Sequence, residues 1–91
     1  MLPIRWSASA LEDLDNVIEY IAAHDLQAAL SIFEQIESSL LPVSEHPHLY
    51  RQGRVFATRQ IVVHPNYLVV YEVLQDSVEV RAVLHARRNY P

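Results

Sequence analysis

The chain has no cysteine, no lysine and a single glycine. Without cysteine there is no disulfide framework and no thiolate metal site, and the composition suits a reducing compartment. One glycine, Gly53, rules out most glycine-rich phosphate loops. No G-x-S-x-G nucleophile turn and no paired-histidine helix motif is present either. No apolar run approaches membrane-spanning length, and Met1 to Ser9 lacks the basic-then-apolar pattern of a secretory signal. The expected location is therefore the cytoplasm.

What is present is a globular composition, 51% apolar over 91 residues, which suits one domain spanning 1–91. The net charge of −4 argues against a general nucleic-acid binder. Its distribution says more than its sum. Residues 1–50 carry eight carboxylates and one arginine, or −7, whereas residues 51–91 carry six arginines and three carboxylates, or +3. The polarity suggests that the basic half faces an anionic partner, or that acidic helices and basic strands simply solvate one domain. Every basic side chain is arginine, whose planar fork suits carboxylate or phosphate.

Pro3 to Trp6 reads as a short first strand. Ser9, three residues before Glu12, has the capping-box pattern. Leu11, Leu14, Ile18 and Ile21 recur at helical spacing, predicting a first helix over about Ala10–Ala23. Asp25 is a good N-cap for a second helix, with a stripe of Leu26, Ala29, Leu30, Phe33, Ile36 and Leu40, ending at or near Pro42. Two residues between the helices predict an antiparallel hairpin. Leu41 to Gly53 reads as a loop, in which His46 and His48 have no further ligand cluster beside them. No metal or cofactor is expected.

Arg54 to Val63, Tyr67 to Leu74 and Val78 to His85 read as three strands. In the last of these, strict alternation puts Val78, Val80, Ala82 and Leu84 on one face. Glu79, Arg81, Val83 and His85 fall on the other, with Arg87 continuing their row. The expected fold is two-layer α+β: an N-terminal strand, an antiparallel helix hairpin, then a three-stranded antiparallel sheet.

The chemistry-bearing residues left over are Arg59, Arg81, His85, Arg87, Arg88 and Tyr90. Such a set suits RNA cleavage, with arginines stabilising a pentavalent phosphate and His85 as the base for a 2′-hydroxyl. The plain alternatives are that Arg81 pairs with Glu72 or Glu79, that His85 closes its strand, and that Tyr90 packs on the sheet edge.

Several stretches in this order resemble the RelE/ParE superfamily, the toxins of bacterial type II toxin–antitoxin pairs, once described as plasmid stabilisation proteins. They are Ala10-Leu11-Glu12-Asp13-Leu14, Tyr20-Ile21-Ala22, Pro47, Gly53-Arg54, Thr58 to Val63, Tyr67 to Val73, and Val80 to Pro91 with its Leu84-His85-Ala86-Arg87-Arg88 core. The resemblance covers nearly the whole chain. It implies two helices against a small antiparallel sheet, and a cognate antitoxin forming a hetero-oligomer with the toxin.

The implied activity divides. ParE-like members poison DNA gyrase, and RelE-like members cut mRNA in the ribosomal A site. In the RNase branch the catalytic set would be Arg59, His85, Arg87 and Tyr90. That branch relies on lysines, or on a glutamate and a histidine; here lysine is missing, Asn89 lies near where some RNase members place histidine, and His85 comes one step early. The resemblance therefore leans to ParE, a growth inhibitor that binds and needs no general base. The alternatives are a RelE-like endonuclease and an inactive scaffold that only binds its antitoxin. Target or antitoxin contacts are expected at Arg54, Arg59, Arg81, His85, Arg87, Arg88 and Tyr90. The antitoxin is expected to fold an acidic amphipathic segment over the apolar faces of the helix hairpin and onto the basic sheet edge.

Overall fold

The computed structural model describes residues 1–53 and 57–87. Six elements follow in order: β1 (Ile4–Trp6), α1 (Ala8–Ala22), α2 (Leu26–Glu45), β2 (Thr58–His64), β3 (Tyr67–Val73) and β4 (Val78–His85). The α+β class and the helix hairpin agree with the sequence reading. The sheet differs from it. It has four strands in the order β1-β4-β3-β2, and β1 lies parallel to β4, with Ile4 opposite Val78 and Trp6 opposite Val80. A three-residue strand has too little periodicity to announce its partner.

Both helices start on side-chain caps. Ser7, not Ser9, caps α1: its hydroxyl accepts the Ala10 N–H at 3.1 Å. The helix therefore begins two residues earlier than the Ser9–Glu12 pattern implied. Asp25 caps α2 as expected, accepting the Ala28 N–H at 3.1 Å. Helix α2 runs on through Pro42 to Glu45. Pro42 gives up one helical N–H, but Val43 beyond it is fully buried. Ser44 is also tied to Leu2, its hydroxyl donating to the Leu2 carbonyl at 2.6 Å and its carbonyl accepting the Leu2 N–H at 2.9 Å. These contacts outweigh the missing bond.

The core fills the space between the hairpin and one sheet face. Ala10, Leu14, Ile32, Ile36 and Val43 meet Ile61, Val69, Tyr71, Val78, Val80 and Val83 there. The last of these breaks the alternation expected for β4. Val70 lies opposite Ala82 but Tyr71 opposite Val80, so Arg81 is the extra residue of a β-bulge. The bulge resets the parity of everything after it. Val78, Val80 and Val83 share the helix-facing side, while Ala82 and Leu84 join Val70 and Leu68 in a second cluster on the opposite face. An alternating sequence carries no mark of one unpaired residue, and Arg81 tolerates the position because its side chain stays on the wet face.

Gly53 has a packing reason of its own. Its N–H donates to the Thr58 carbonyl at 2.8 Å, and a Cβ there would stand 2.6 Å from Thr58 Oγ1.

Candidate functional site

Among the described residues of the predicted basic edge, Arg59, Arg81 and His85 do not come together. Arg59 lies on the helix-facing side of β2, and its guanidinium donates from Nη1 to the backbone carbonyls of Tyr50, at 2.7 Å, and His48, at 3.2 Å. It fastens the loop after α2 to the sheet. Tyr71 acts beside it, its hydroxyl donating to the Pro47 carbonyl at 3.0 Å. Burial pushes the Tyr71 phenol above its ordinary value, and the neighbouring Arg59 charge opposes that shift.

Arg81 lies on the opposite face of the sheet. It pairs with Glu72 across β3 and with Glu79 on its own strand, the latter at 2.9 Å. Arg5 sits opposite Glu79 on β1, so this part of the face alternates in charge. The plain pairing of Arg81 is thus what the structure contains.

His85 is on neither of these patches. The bulge turns it to the helix side, at the far end of the sheet from Arg59. Arg59 is opposite Tyr71 and His85 is opposite Tyr67. Four residues of β3 separate them, about 13 Å along the strand, with two strand spacings, about 10 Å, across it. The His85 ring packs edge-on to Tyr67 with centroids 5.4 Å apart, and its Nδ1 accepts the Arg87 N–H at 3.2 Å. In the neutral ring the proton is then on Nε2, which is left as a donor. His64, on the other side of Tyr67, makes the matching bond, accepting the Asn66 N–H at 3.1 Å.

Arg87 is exposed just past β4. Arg54, Arg88 and Tyr90 lie outside the described residues. Among the described residues no group of three or more metal-binding side chains comes together, and His46 and His48 are exposed.

Two of the recesses beside the helical layer bear on the candidate site. The first is an apolar cleft of about 500 Å³ between β1, α1 and α2. Trp6, Leu11, Phe33, Ile36, Leu40 and Leu41 line it, with Glu37 at its rim. Leu41 is 73% exposed and Leu11 48%, unusual for leucines that face a preformed cleft. The second is a polar recess of about 520 Å³ between α1 and the end of β4, walled by Asp13, Asn16, Tyr20, Asn66, Tyr67 and His85. Here Asp13 accepts the Val83 N–H at 3.1 Å, satisfying a β4 edge group beyond the end of β1.

Sequence reasoning foresaw apolar faces on the helices but not this cleft. Its signal was Trp6, the single tryptophan, beside Leu11 and the Phe33-Glu37-Leu41 row on α2. The arginine-rich end drew attention instead.

The fold is a small α+β domain with an open apolar cleft, and the comparisons give its class: the toxins of type II toxin–antitoxin systems. The chain belongs to the family described as the ParE toxin of the type II toxin–antitoxin system parDE, whose model matches residues 4–90. It is 34% identical over 89 residues to the proposed toxin Y4kP of Sinorhizobium fredii, covering 97% of this chain and 92% of that one. It is 28% identical over 90 residues to Toxin RelE2 of Caulobacter vibrioides, covering 97% and 99%. Its fold matches a chain of the chromosomal ParDE system from P. aeruginosa with a TM-score of 0.81 over 93% of this chain and 96% of that one, at 16% identity. An antitoxin partner follows from the family. No described helix is long and apolar enough to cross a membrane.

Proposed function

We propose that this toxin acts by binding, as a cytoplasmic poison of DNA gyrase, and that its antitoxin neutralises it in a hetero-oligomer by covering the apolar cleft. One observation carries the choice of binding over catalysis. An RNase needs a positioned base beside a phosphate-holding arginine. His85, the candidate base, has its acceptor nitrogen occupied by the Arg87 N–H. Arg59 is at the other end of the sheet, with its guanidinium on the Tyr50 and His48 carbonyls. A binding poison requires neither group to be free.

The cleft supports the second half of the reading. Along α2 its lining runs from Phe33 to Ser44. That is about 16 Å, or three turns, the length of a helical segment laid in a groove.

Purified protein added in excess to a DNA-supercoiling reaction should stop gyrase. Induction without the antitoxin should arrest replication before translation. Normal supercoiling, together with codon-phased cuts in ribosome-bound mRNA, would replace this reading with the RelE-like endonuclease. Harmless expression would leave the inactive scaffold.

A further inference from the structure

The two helices that wall the cleft carry charge of one sign only. Between Trp6 and Tyr50 there is no arginine or lysine, while Glu12, Asp13, Asp15, Glu19, Asp25, Glu34, Glu37 and Glu45 all fall there. None of these carboxylates is in a salt bridge among the described residues; the ion pairs there belong to Arg81 on the far face of the sheet. Asp13 and Asp25 accept backbone N–H groups. The others project into water.

One of them lines the cleft and another stands beside it. Glu37 lines it, and a second recess of about 440 Å³, formed by Glu34, Glu37, Ser38 and Leu41, opens beside it and shares Glu37 and Leu41 with it. The apolar floor therefore has an anionic sill along α2. A segment laid in the cleft has to bring apolar side chains to the floor and set its flanking residues against that sill. Acidic flanks would meet like charge, which disfavours the wrong partner.

We infer that the occupant of the cleft is an amphipathic helix with a leucine- or isoleucine-rich stripe flanked by arginine or lysine, paired with Glu34 and Glu37. This rests on the reading of the cleft as the antitoxin's site, and it reverses the acidic segment expected from the sequence. Acidic residues of the antitoxin, if any reach the toxin, belong elsewhere. A second copy of this chain is a poor occupant, because its own helical layer carries the same sign.

The single tryptophan makes the test direct, since Trp6 is in the cleft wall. Two synthetic peptides of about fourteen residues would share one apolar stripe and differ only in flanks, four arginines against four glutamates. Each is titrated into the intact protein at low salt while Trp6 emission is followed. The arginine peptide is expected to shift the emission and to bind at least tenfold more tightly. Its advantage should shrink severalfold in 1 M salt, where the screening length falls to about 3 Å. Glu34→Gln with Glu37→Gln, both exposed and compatible with folding, should weaken the arginine peptide about fivefold or more and leave the glutamate peptide unharmed.

Equal binding, or tighter binding of the glutamate peptide, overturns the inferred polarity while leaving the cleft as the site. No emission change with either peptide, in protein shown folded by circular dichroism, overturns the polarity and the cleft reading together. A homodimer that buries Trp6 in the absence of peptide also overturns it, by naming the second copy as occupant.

Discussion

The helical layer and the sheet use their charges in opposite ways. The sheet and its loops hold most of the arginines, yet two of the three that lie within its strands are engaged within the chain: Arg59 on the carbonyls of His48 and Tyr50, Arg81 on Glu72 and Glu79. The helices hold most of the carboxylates, which form no salt bridge among the described residues, and they border an apolar cleft. A count of charges by region suggests that the basic half meets the partner. The geometry ties Arg59 and Arg81 within the chain, and the proposed reading gives recognition to the acidic layer. A charge that already has a partner contributes little to meeting another, because it must first give up the bonds it has.

The largest expected effect contrasts the two regions on one readout, antitoxin affinity. Leu11→Asn with Leu41→Asn, at two exposed positions of the cleft, should weaken the complex about 30- to 100-fold, the loss of about 2–3 kcal/mol typical of hot-spot contacts. Arg81→Ala should change it less than about fivefold, since an exposed pair contributes at most about 1 kcal/mol. Titration calorimetry on the purified pair measures both, and a larger loss from Arg81→Ala would reverse the comparison.

Next comes stability. Arg59→Ala removes a charged donor from two loop carbonyls and should cost about 2–3 kcal/mol, seen as an earlier urea midpoint with an unchanged slope. If Arg59 were instead held ready for a phosphate, its removal would abolish activity and leave the midpoint almost unmoved.

The smallest effect belongs to Tyr71. Tyr71→Phe loses one hydrogen bond, worth about 1 kcal/mol near neutral pH. Because the folded phenol's pKa lies above that of the unfolded chain, the native state holds its proton longer. Wild-type stability is therefore fully present below pH about 10 and falls as pH rises past that value. The phenylalanine variant should lose that part of the alkaline decline, so the two denaturation curves converge above pH about 10. A constant gap between them would mean that the phenol ionises as freely in the fold as outside it.

Much of the fold was legible in the sequence because it obeys local rules. Asp25 capped α2, the leucine and isoleucine spacing named both helices, and three valine-rich runs became β2, β3 and β4. What was not legible depends on distant partners. A three-residue β1 gives no sign that it will lie parallel to a strand more than seventy residues on. The bulge at Arg81 leaves the alternation of residues 78–85 intact on paper while turning His85 from one face to the other. That slip explains why Arg81, His85 and Arg87 looked like one row. Pro42 marked a helix end by local rule, yet burial of Val43 and the Ser44–Leu2 bonds carried α2 past it. Of the functional surface, the pairing of Arg81 with Glu72 or Glu79 was readable from strand offsets, whereas the cleft exists only once Trp6 is brought against Phe33 and Leu41.

The contrast between a sheet whose Arg59 and Arg81 are occupied and an open helical cleft is tested most directly by backbone hydrogen–deuterium exchange of the toxin with and without its antitoxin. Slowed exchange is expected over residues 4–14 and 33–44, the walls of the cleft, with little change over 78–87. Protection confined to 78–87, with the cleft exchanging as fast as in the free toxin, would contradict it.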